Sequence, residues 1–266
     1  MSAVLRVTIL GCGSSGGVPR LGGLWGDCDP AEPRNIRTRC SLLVERQTDF
    51  GTTRVLIDTS PDMRAQLLAA GVGQLDAVVY THSHADHVHG IDDLRMIVFN
   101  TGQRIPVWAD GPTQDALYAR FGYAFTQPKD SPYPPILEMN TIGAEVLVSG
   151  KGGDIRLQPL PVNHGSMDAL GFRIGDVAYV PDAVLIPETT WERLQGLECW
   201  IVDALRRRPH PTHAHLEMTL DWIARARPAR AVLTNMHVDL DYATIAAETP
   251  DHVMPAHDGM VLHFPG

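Results

Sequence analysis

Cysteine is scarce in this chain. The four in 266 residues, Cys12, Cys28, Cys40 and Cys199, make no CxxC pair and no regular spacing. That argues against a disulfide framework or a thiolate zinc site and leaves them as buried thiols. No apolar run reaches membrane-spanning length. The opening MSAVLRVTILGCGSSGG lacks the charged segment, long apolar stretch and small-residue cleavage site of a secretory leader, so the expected location is cytoplasmic. Positive charge is short as well: 22 basic residues face 31 acidic ones, a formal net charge of −9. Binding extended nucleic acid relies on Lys and Arg neutralising phosphates, so that balance disfavours it, and an anionic substrate would need local positive charge. Internal repeats, low-complexity tracts and linkers are missing too, and residues 1–266 read as one domain.

What is present is an alternation. Hydrophobic residues make up an ordinary 44%. Short apolar, β-branched runs recur, among them VLRVTIL, CSLLVE, TRVLIDT, LDAVVYT, IPVWAD, AEVLVS, IRLQPLPV, LGFRIGDVAYV, CWIVDAL, RAVLTNM and MVLHF, and they predict large mixed sheets. Between them PDMRAQLLAAG, with Ser60 as N-cap and Gly71 as stop, and IDDLRMIVFN, PTQDALYARFG, IPETTWERLQG and LEMTLDWIARAR predict helices. The class is α/β, with helices covering sheet faces.

Two stretches are too rich in Gly or Pro for regular structure, GCGSSGGVPRLGGLWGDCDPAEPRNIRTR and YAFTQPKDSPYPP. The aromatics Trp25, Tyr123, Phe125 and Tyr133 within them suit either plain surface packing or the walls or lid of a pocket. GCGSSGG lacks the Lys-Ser/Thr of a phosphate-binding loop and is expected to form a tight turn after the first strand.

The densest chemistry lies in THSHADHVHG, directly after LDAVVY. If the strand stays extended, His82 and His84 project to one side while Ser83 faces away. A turn at Ala85 would then bring Asp86 and His87 beside them, at the C-terminal end of a strand, where α/β folds build their sites. Imidazole and carboxylate suit Zn, Mn or Fe, and four such groups within six residues exceed what one open catalytic metal needs from one segment. Two ions are the economical reading, and a pair can activate water and stabilise charge on a reacting phosphoryl or carbonyl oxygen, so the reaction class is hydrolysis.

The pattern resembles the metallo-β-lactamase superfamily, whose T-H-x-H-x-D-H signature is met by Thr81, His82, His84, Asp86 and His87. The later ligands of that family are matched in order by PVNHGS, AYVPDA and LTNMH, that is His164, Asp182 and His237. The resemblance implies a four-layer αββα sandwich with two divalent ions, Zn or Mn. It puts His82, His84 and His164 on one ion, Asp86, His87 and His237 on the other, and Asp182 between them. It also implies that Asp58, in VLIDTSPD, supports the metal loop by hydrogen bonds, although a simple turn residue is the competing reading.

GCGSSGGVPR, RCSLLVE and the stretch from RRRPHPTHAHL to LTNMH are similar to the phosphodiesterase branch, the phosphoribosyl cyclic phosphate phosphodiesterases of carbon–phosphorus lyase systems and their relative RNase Z. The implied activity is hydrolysis of a small, cyclic phosphodiester such as a ribose or nucleotide cyclic phosphate. Asp86 and His213 would be the catalytic residues, His213 as general acid, with His210 and His215 as alternatives. Asp92 and Asp93 read as first-turn helix carboxylates, Arg95 as a candidate phosphate contact, and His257-Asp258 as a candidate pocket rim.

The branch's cysteine-rich structural zinc site is not expected here, since WGDCDP offers only Cys28, and this leaves the exact substrate open. The expected partner is a small anionic phosphodiester, without membrane or extended nucleic acid, and a homodimer stays open. An RNase Z-like nuclease ranks second, because the insert at 122–139 holds one basic residue, Lys129, with which to grip tRNA. A zinc β-lactamase would want a leader, a glyoxalase II-type thioesterase a further helical domain, and a non-enzymatic metal-dependent ligand sensor eroded ligands.

Overall fold

The computed structural model describes residues 3–266. Its strands are β1 (Val4–Gly11), β2 (Ser41–Thr48), β3 (Gly51–Ile57), β4 (Ala77–Val79), β5 (Ile105–Ala109), β6 (Leu137–Thr141), β7 (Val146–Val148), β8 (Ile155–Asn163), β9 (Asp168–Ile174), β10 (Val177–Val180), β11 (Cys199–Asp203), β12 (Arg230–Thr234), β13 (Val253–Pro255) and β14 (Met260–Pro265). Its helices are α1 (Met63–Ala69), α2 (Ala85–Val88), α3 (Leu94–Thr101), α4 (Gly111–Phe125), α5 (Glu188–Trp191), α6 (Leu216–Ala226) and α7 (Tyr242–Glu248). The chain divides into two compact units. One comprises the residues up to Leu10, Ser41–Arg156 and Val261–Gly266, the other Gly11–Cys40 and Leu157–Met260.

The first unit is built on a mixed sheet in the order β14-β1-β2-β3-β4-β5-β6. β2 and β3 form an antiparallel hairpin, while β3, β4, β5 and β6 run parallel. Consecutive Leu42, Leu43 and Val44 are all buried, as a strand covered on both faces requires. Met63 and Leu67 of α1, Leu94 and Ile97 of α3 and Leu117 of α4 share one core with Leu43, Leu56, Val78 and Val107 of the sheet. Each such side chain, fully buried, contributes about 1.5–3 kcal/mol.

The second unit carries a sheet in the order β13-β12-β11-β10-β9-β8. Its strands β10, β11, β12 and β13 are parallel, with Val180 level with Val202 and Asp203 level with Thr234. Three neighbouring strands therefore end together, which is where side chains can converge. Trp191 of α5 meets Trp200 of β11 and Trp222 of α6 edge to face at ring distances of 6.1 and 6.3 Å.

Several local expectations shift. The helix after β3 starts at Met63, and Ser60 does not cap it: its Oγ accepts from Asp62 N–H (3.2 Å) and donates to Gln66 Oε1 (2.9 Å). α4 bends at Phe121 (φ −130°, ψ 29°), beside the expected end at Gly122, and a further turn carries the chain to Phe125, which is buried and belongs to the core rather than to a lid. Trp25 packs on Val18, Cys28 and Val238, whereas Tyr123 and Tyr133 are exposed and, as expected of wall residues, line a small cavity of about 100 Å³ together with Arg95. β6, β13 and α7 had no clear signal: LEMNT and VMP carry few β-branched residues, and α7 is marked mainly by its cap, Asp241, which accepts from Thr244 N–H (2.9 Å). The glycine-rich stretch after β1 does turn tightly, with Gly17 N–H donating to Ser14 O at 2.8 Å. Gly13 is required there because a Cβ would stand 2.9 Å from Arg37 Cβ. Among the described residues no helix is long and apolar enough to cross a membrane.

Gly90, just past α2, locks the histidine loop to the tail of β3. Its N–H donates to Thr59 O at 2.9 Å, and a Cβ would fall 2.1 Å from the backbone oxygen of Ser60. Gly90→Ala should lower stability by about 1–3 kcal/mol through overpacking. Gly122→Ala, with open space around it in α4, should be neutral or gain up to about 1 kcal/mol. Denaturant melts of both variants check this, and equal stability for the two would contradict it.

Candidate functional site

In the first unit, β3 and β4 stop level with each other, Ile57 opposite Val79. β4 is shorter than its apolar run because Thr81 N–H turns away from the sheet to Asp58 Oδ1 (2.8 Å). Asp58 occupies the left-handed region at φ 64°, which Asp tolerates better than most residues. Its buried carboxylate also accepts from Thr81 Oγ1 (2.8 Å) and from His87 Nδ1 (2.7 Å). Since the Thr81 hydroxyl donates to Asp58, it accepts from His82 Nδ1 at 2.9 Å. One carboxylate thus sets the ring orientation of two histidines, and Asp58 is no simple turn residue.

The expected extended segment and turn are present: His84 is extended at φ −62° and ψ 151° and precedes the first residue of α2. The His82 ring lies 4.7 Å from that of His84 and 4.3 Å from that of His87. Asp86 Oδ2 stands 3.6 Å from His87 Nε2. His82 and His87 are buried, and His84 is exposed. Arg120 of α4 donates to Ser83 O at 2.6 Å, bracing the backbone between two of the histidines.

In the second unit, Asp182 follows β10, Asp203 ends β11, and Asn235 follows β12 at φ 61°. Asn235 Nδ2 donates to Pro181 O (3.1 Å) and Asp182 Oδ1 (3.3 Å), tying the strand ends together. His164 Nδ1 donates to Thr212 O at 2.7 Å, and its Nε2 lies 3.6 Å from Asp182 Oδ2. The His213 ring is 4.5 Å from that of His164, and its Nδ1 pairs with Asp203 Oδ2 at 3.0 Å. Asp203 also accepts from Ala183 N–H (3.1 Å), and its backbone carbonyl accepts from Thr219 Oγ1 (2.6 Å). His237 Nδ1 is 3.5 Å from Asp239 Oδ1, and the guanidinium of Arg20 contacts its Nε2. Buried Arg37 donates to Leu240 O (2.7 Å) and His237 O (3.3 Å), holding the loop behind that histidine.

Burial pushes both supporting carboxyls upward. Asp58 rises above its ordinary range through burial, opposed by His87 and the Thr81 donors. Asp203 is pushed up to about 7 by burial, with His213 lowering it and the Asp182 charge raising it further. His210 is lowered, first by burial and then by the neighbouring His213. Its Nδ1 faces Thr212 N–H at 3.3 Å, while His215 stands as the first cap of α6 without a side-chain capping bond.

Reading the sequence missed Asp203 and Asn235. The available signal was the one that marked Asp58 and Asp182, an Asp or Asn closing an apolar run, as in CWIVDAL and AVLTNM. Arg95 is committed to Asp92 (2.9 Å), which Tyr123 Oη also reaches at 3.0 Å. Asp258 is buried and accepts from Cys12 N–H (3.1 Å) and Thr38 N–H (2.7 Å), so it ties loops together instead of forming a rim.

The geometry agrees with what the chain is similar to. A family model described as a β-lactamase superfamily domain matches residues 53–236. An octanoyltransferase of Porphyromonas gingivalis is 34% identical over 261 residues; the match covers 96% of this chain, which spans only 51% of that protein. A crystal structure of a diphosphatase from the PhnP family superposes with a TM-score of 0.87 at 35% identity, covering 99% of this chain and 98% of that one. Zn(2+)-bound PqqB from Methylobacterium extorquens shares the fold, with a TM-score of 0.71 at 20% identity over 97% of this chain and 99% of its own. Two mixed sheets flanked by helices, the α/β class of the αββα sandwich, and the histidine signature have one source: the chain belongs to the metallo-β-lactamase superfamily of hydrolases.

Proposed function

We propose that this hydrolase cleaves a small phosphodiester with the help of two divalent ions. His82, His84 and His164 would hold one, Asp86, His87 and His237 the other, and Asp182 would lie between them. The observation that carries the proposal is the set of hydrogen-bond partners that the imidazole Nδ1 atoms face. His82, His87 and His164 each use Nδ1 as donor, toward Thr81, Asp58 and the Thr212 carbonyl. Each therefore keeps its lone pair on Nε2, the tautomer a ligand needs, with the hydrogen-bonded support typical of metal-binding histidines. When bound, two such ions supply a nucleophile from water near neutral pH and Lewis-acid stabilisation of phosphoryl charge.

The remaining steps belong to the chain's own side chains. Asp203 fixes His213 through Nδ1, so the proton that His213 gives up is the one at Nε2, and the buried carboxylate steadies the imidazolium. A sugar alkoxide needs that proton in order to leave, whereas a phosphate leaving group needs it less. The diphosphatase among the similar structures makes P–O–P substrates the second class to assay. Because the chain spans half of the octanoyltransferase, acyl transfer is left with that longer protein. Residues 1–266 would act as one hydrolase domain.

The test is a comparison of leaving groups. His213→Ala should lower kcat about 10²–10⁴-fold on ribose or nucleotide cyclic phosphates, and only mildly on bis-p-nitrophenyl phosphate, with metal content retained. An equal loss on both substrates would remove His213 from the acid role. Absence of turnover on every diester, including bis-p-nitrophenyl phosphate, would overturn the phosphodiesterase reading. Asp58→Asn replaces an acceptor facing three donors with an amide, and should weaken metal binding about 10–100-fold in a competition titration against a chromophoric chelator. Unchanged affinity would show that Asp58 does not support the ligands.

A further inference from the structure

The loop between β11 and α6, residues 204–215, ends on several of the groups proposed for the site. Its base is closed by the backbone: Leu205 N–H donates to Ala214 O (2.9 Å) and Leu216 N–H to Arg206 O (2.9 Å). Leu205 O accepts from His237 N–H (2.9 Å), and Ala214 N–H donates to Ala183 O (2.6 Å), beside Asp182. The far end is stiffened in a different way. Arg206 reaches across to Arg208 O (3.0 Å) and Pro209 O (2.7 Å). Pro209 and Pro211 flank His210, fixing φ on either side of it and disfavouring the helical region at His210 itself.

Within that loop Thr212 is gripped at every polar atom. Its N–H (3.3 Å) and hydroxyl (3.2 Å) face His210 Nδ1, and its carbonyl accepts from His164 Nδ1 (2.7 Å). Its methyl seats on Gly165, where a Cβ would stand 2.4 Å from Thr212 Cγ2, and the φ of 80° there is a second reason for glycine. An amide N–H can only donate, so His210 Nδ1 is an acceptor and the neutral ring carries its proton at Nε2. Burial and then the neighbouring His213 lower His210, which keeps Nδ1 bare near neutral pH.

A side chain bonded to the backbone two residues on usually shapes a local turn and nothing else. Two features set this one apart. The peptide that carries the Thr212 carbonyl leads directly into His213, whose ring lies 4.5 Å from that of His164 and 5.2 Å from that of His210. The polarity of the bonds is also relayed: His210 accepts at Nδ1, where His164 and His213 donate, so an outer ring holds a backbone donor and the same residue's backbone acceptor holds an inner ring.

We propose that His210 is a positioning residue: its Nδ1 fixes Thr212, and through the Thr212 carbonyl and the peptide that follows it sets the ring of His164 and the approach of His213. The inference rests on the metal-dependent phosphodiesterase reading above. It gives His210, an alternative proton donor on sequence grounds, a role exerted through the backbone instead.

Two variants test it: His210→Ala removes the acceptor, whereas His210→Asn offers a side-chain oxygen that can accept from the N–H two residues on. In proton–nitrogen correlation spectra of the full, metal-stripped chain with isotope-labelled histidine, His164 should carry its proton at Nδ1 in the wild type and in His210→Asn. In His210→Ala it should become a mixture of tautomers. In competition titrations against a chromophoric chelator, His210→Ala should bind zinc about 10-fold more weakly, the low end for loss of a group that supports a ligand, and His210→Asn should stay within about 3-fold of the wild type. Kinetics at saturating metal read His213: the kcat of His210→Ala on adenosine 2′,3′-cyclic phosphate should fall about 10-fold further than its kcat on bis-p-nitrophenyl phosphate, and His210→Asn should restore the ratio. An unchanged His164 tautomer and zinc affinity in His210→Ala, no recovery in His210→Asn, or equal kinetic losses on the two substrates would each overturn the proposal. If no diester is turned over at all, the phosphodiesterase reading fails, while the spectra and the titration still decide whether His210 sets His164.

Discussion

The histidine loop depends on one buried carboxylate. Asp58 holds Thr81 through backbone and side chain, His87 directly, and His82 through the Thr81 hydroxyl. A carboxylate taken out of water is costly unless its acceptor sites are filled, and three donors fill them here. That cost and its repayment make the loop rigid: releasing any one donor leaves charge or a polar group buried and unsatisfied. Aligned strand ends supply the frame, Gly90 the close approach, and Arg120 the outer brace.

The second unit repeats the device with different parts. Three parallel strands end in register and hand over Asp182, Asp203 and Asn235. Asn235 links them as a neutral donor, while Asp203 does for His213 what Asp58 does for His87. The two supporting carboxyls are buried and raised, each beside an imidazole that opposes the rise. A buried carboxylate with an imidazole at Nδ1 is a recurring way to fix a tautomer, and it serves a proposed ligand in one unit and a proposed proton donor in the other.

How much of this could be read from the sequence follows from where each signal resides. The strand runs and amphipathic helices were legible because burial imposes a period on the residues, and THSHADH because so many ligand types crowd one segment. Asp203 was not legible: an Asp closing an apolar run has the same local appearance whether it turns the chain or supports a histidine ten residues later. The shortness of β4 was hidden for a related reason, since the bond that ends it comes from Asp58, a residue just past the end of β3. Phe125 looked like a lid aromatic because Gly122 suggested a helix stop; the helix does bend there, at Phe121, but a further turn carries Phe125 into the core. Arg95 could be assigned to Asp92 only once the helix turn placed them together.

On the proposed reading, these supported imidazoles and carboxylates serve a pair of metal ions. Elemental analysis of the purified chain, stripped with chelator and reconstituted with zinc or manganese, addresses it most directly. Close to two ions per chain are expected. One ion or none after reconstitution would contradict it.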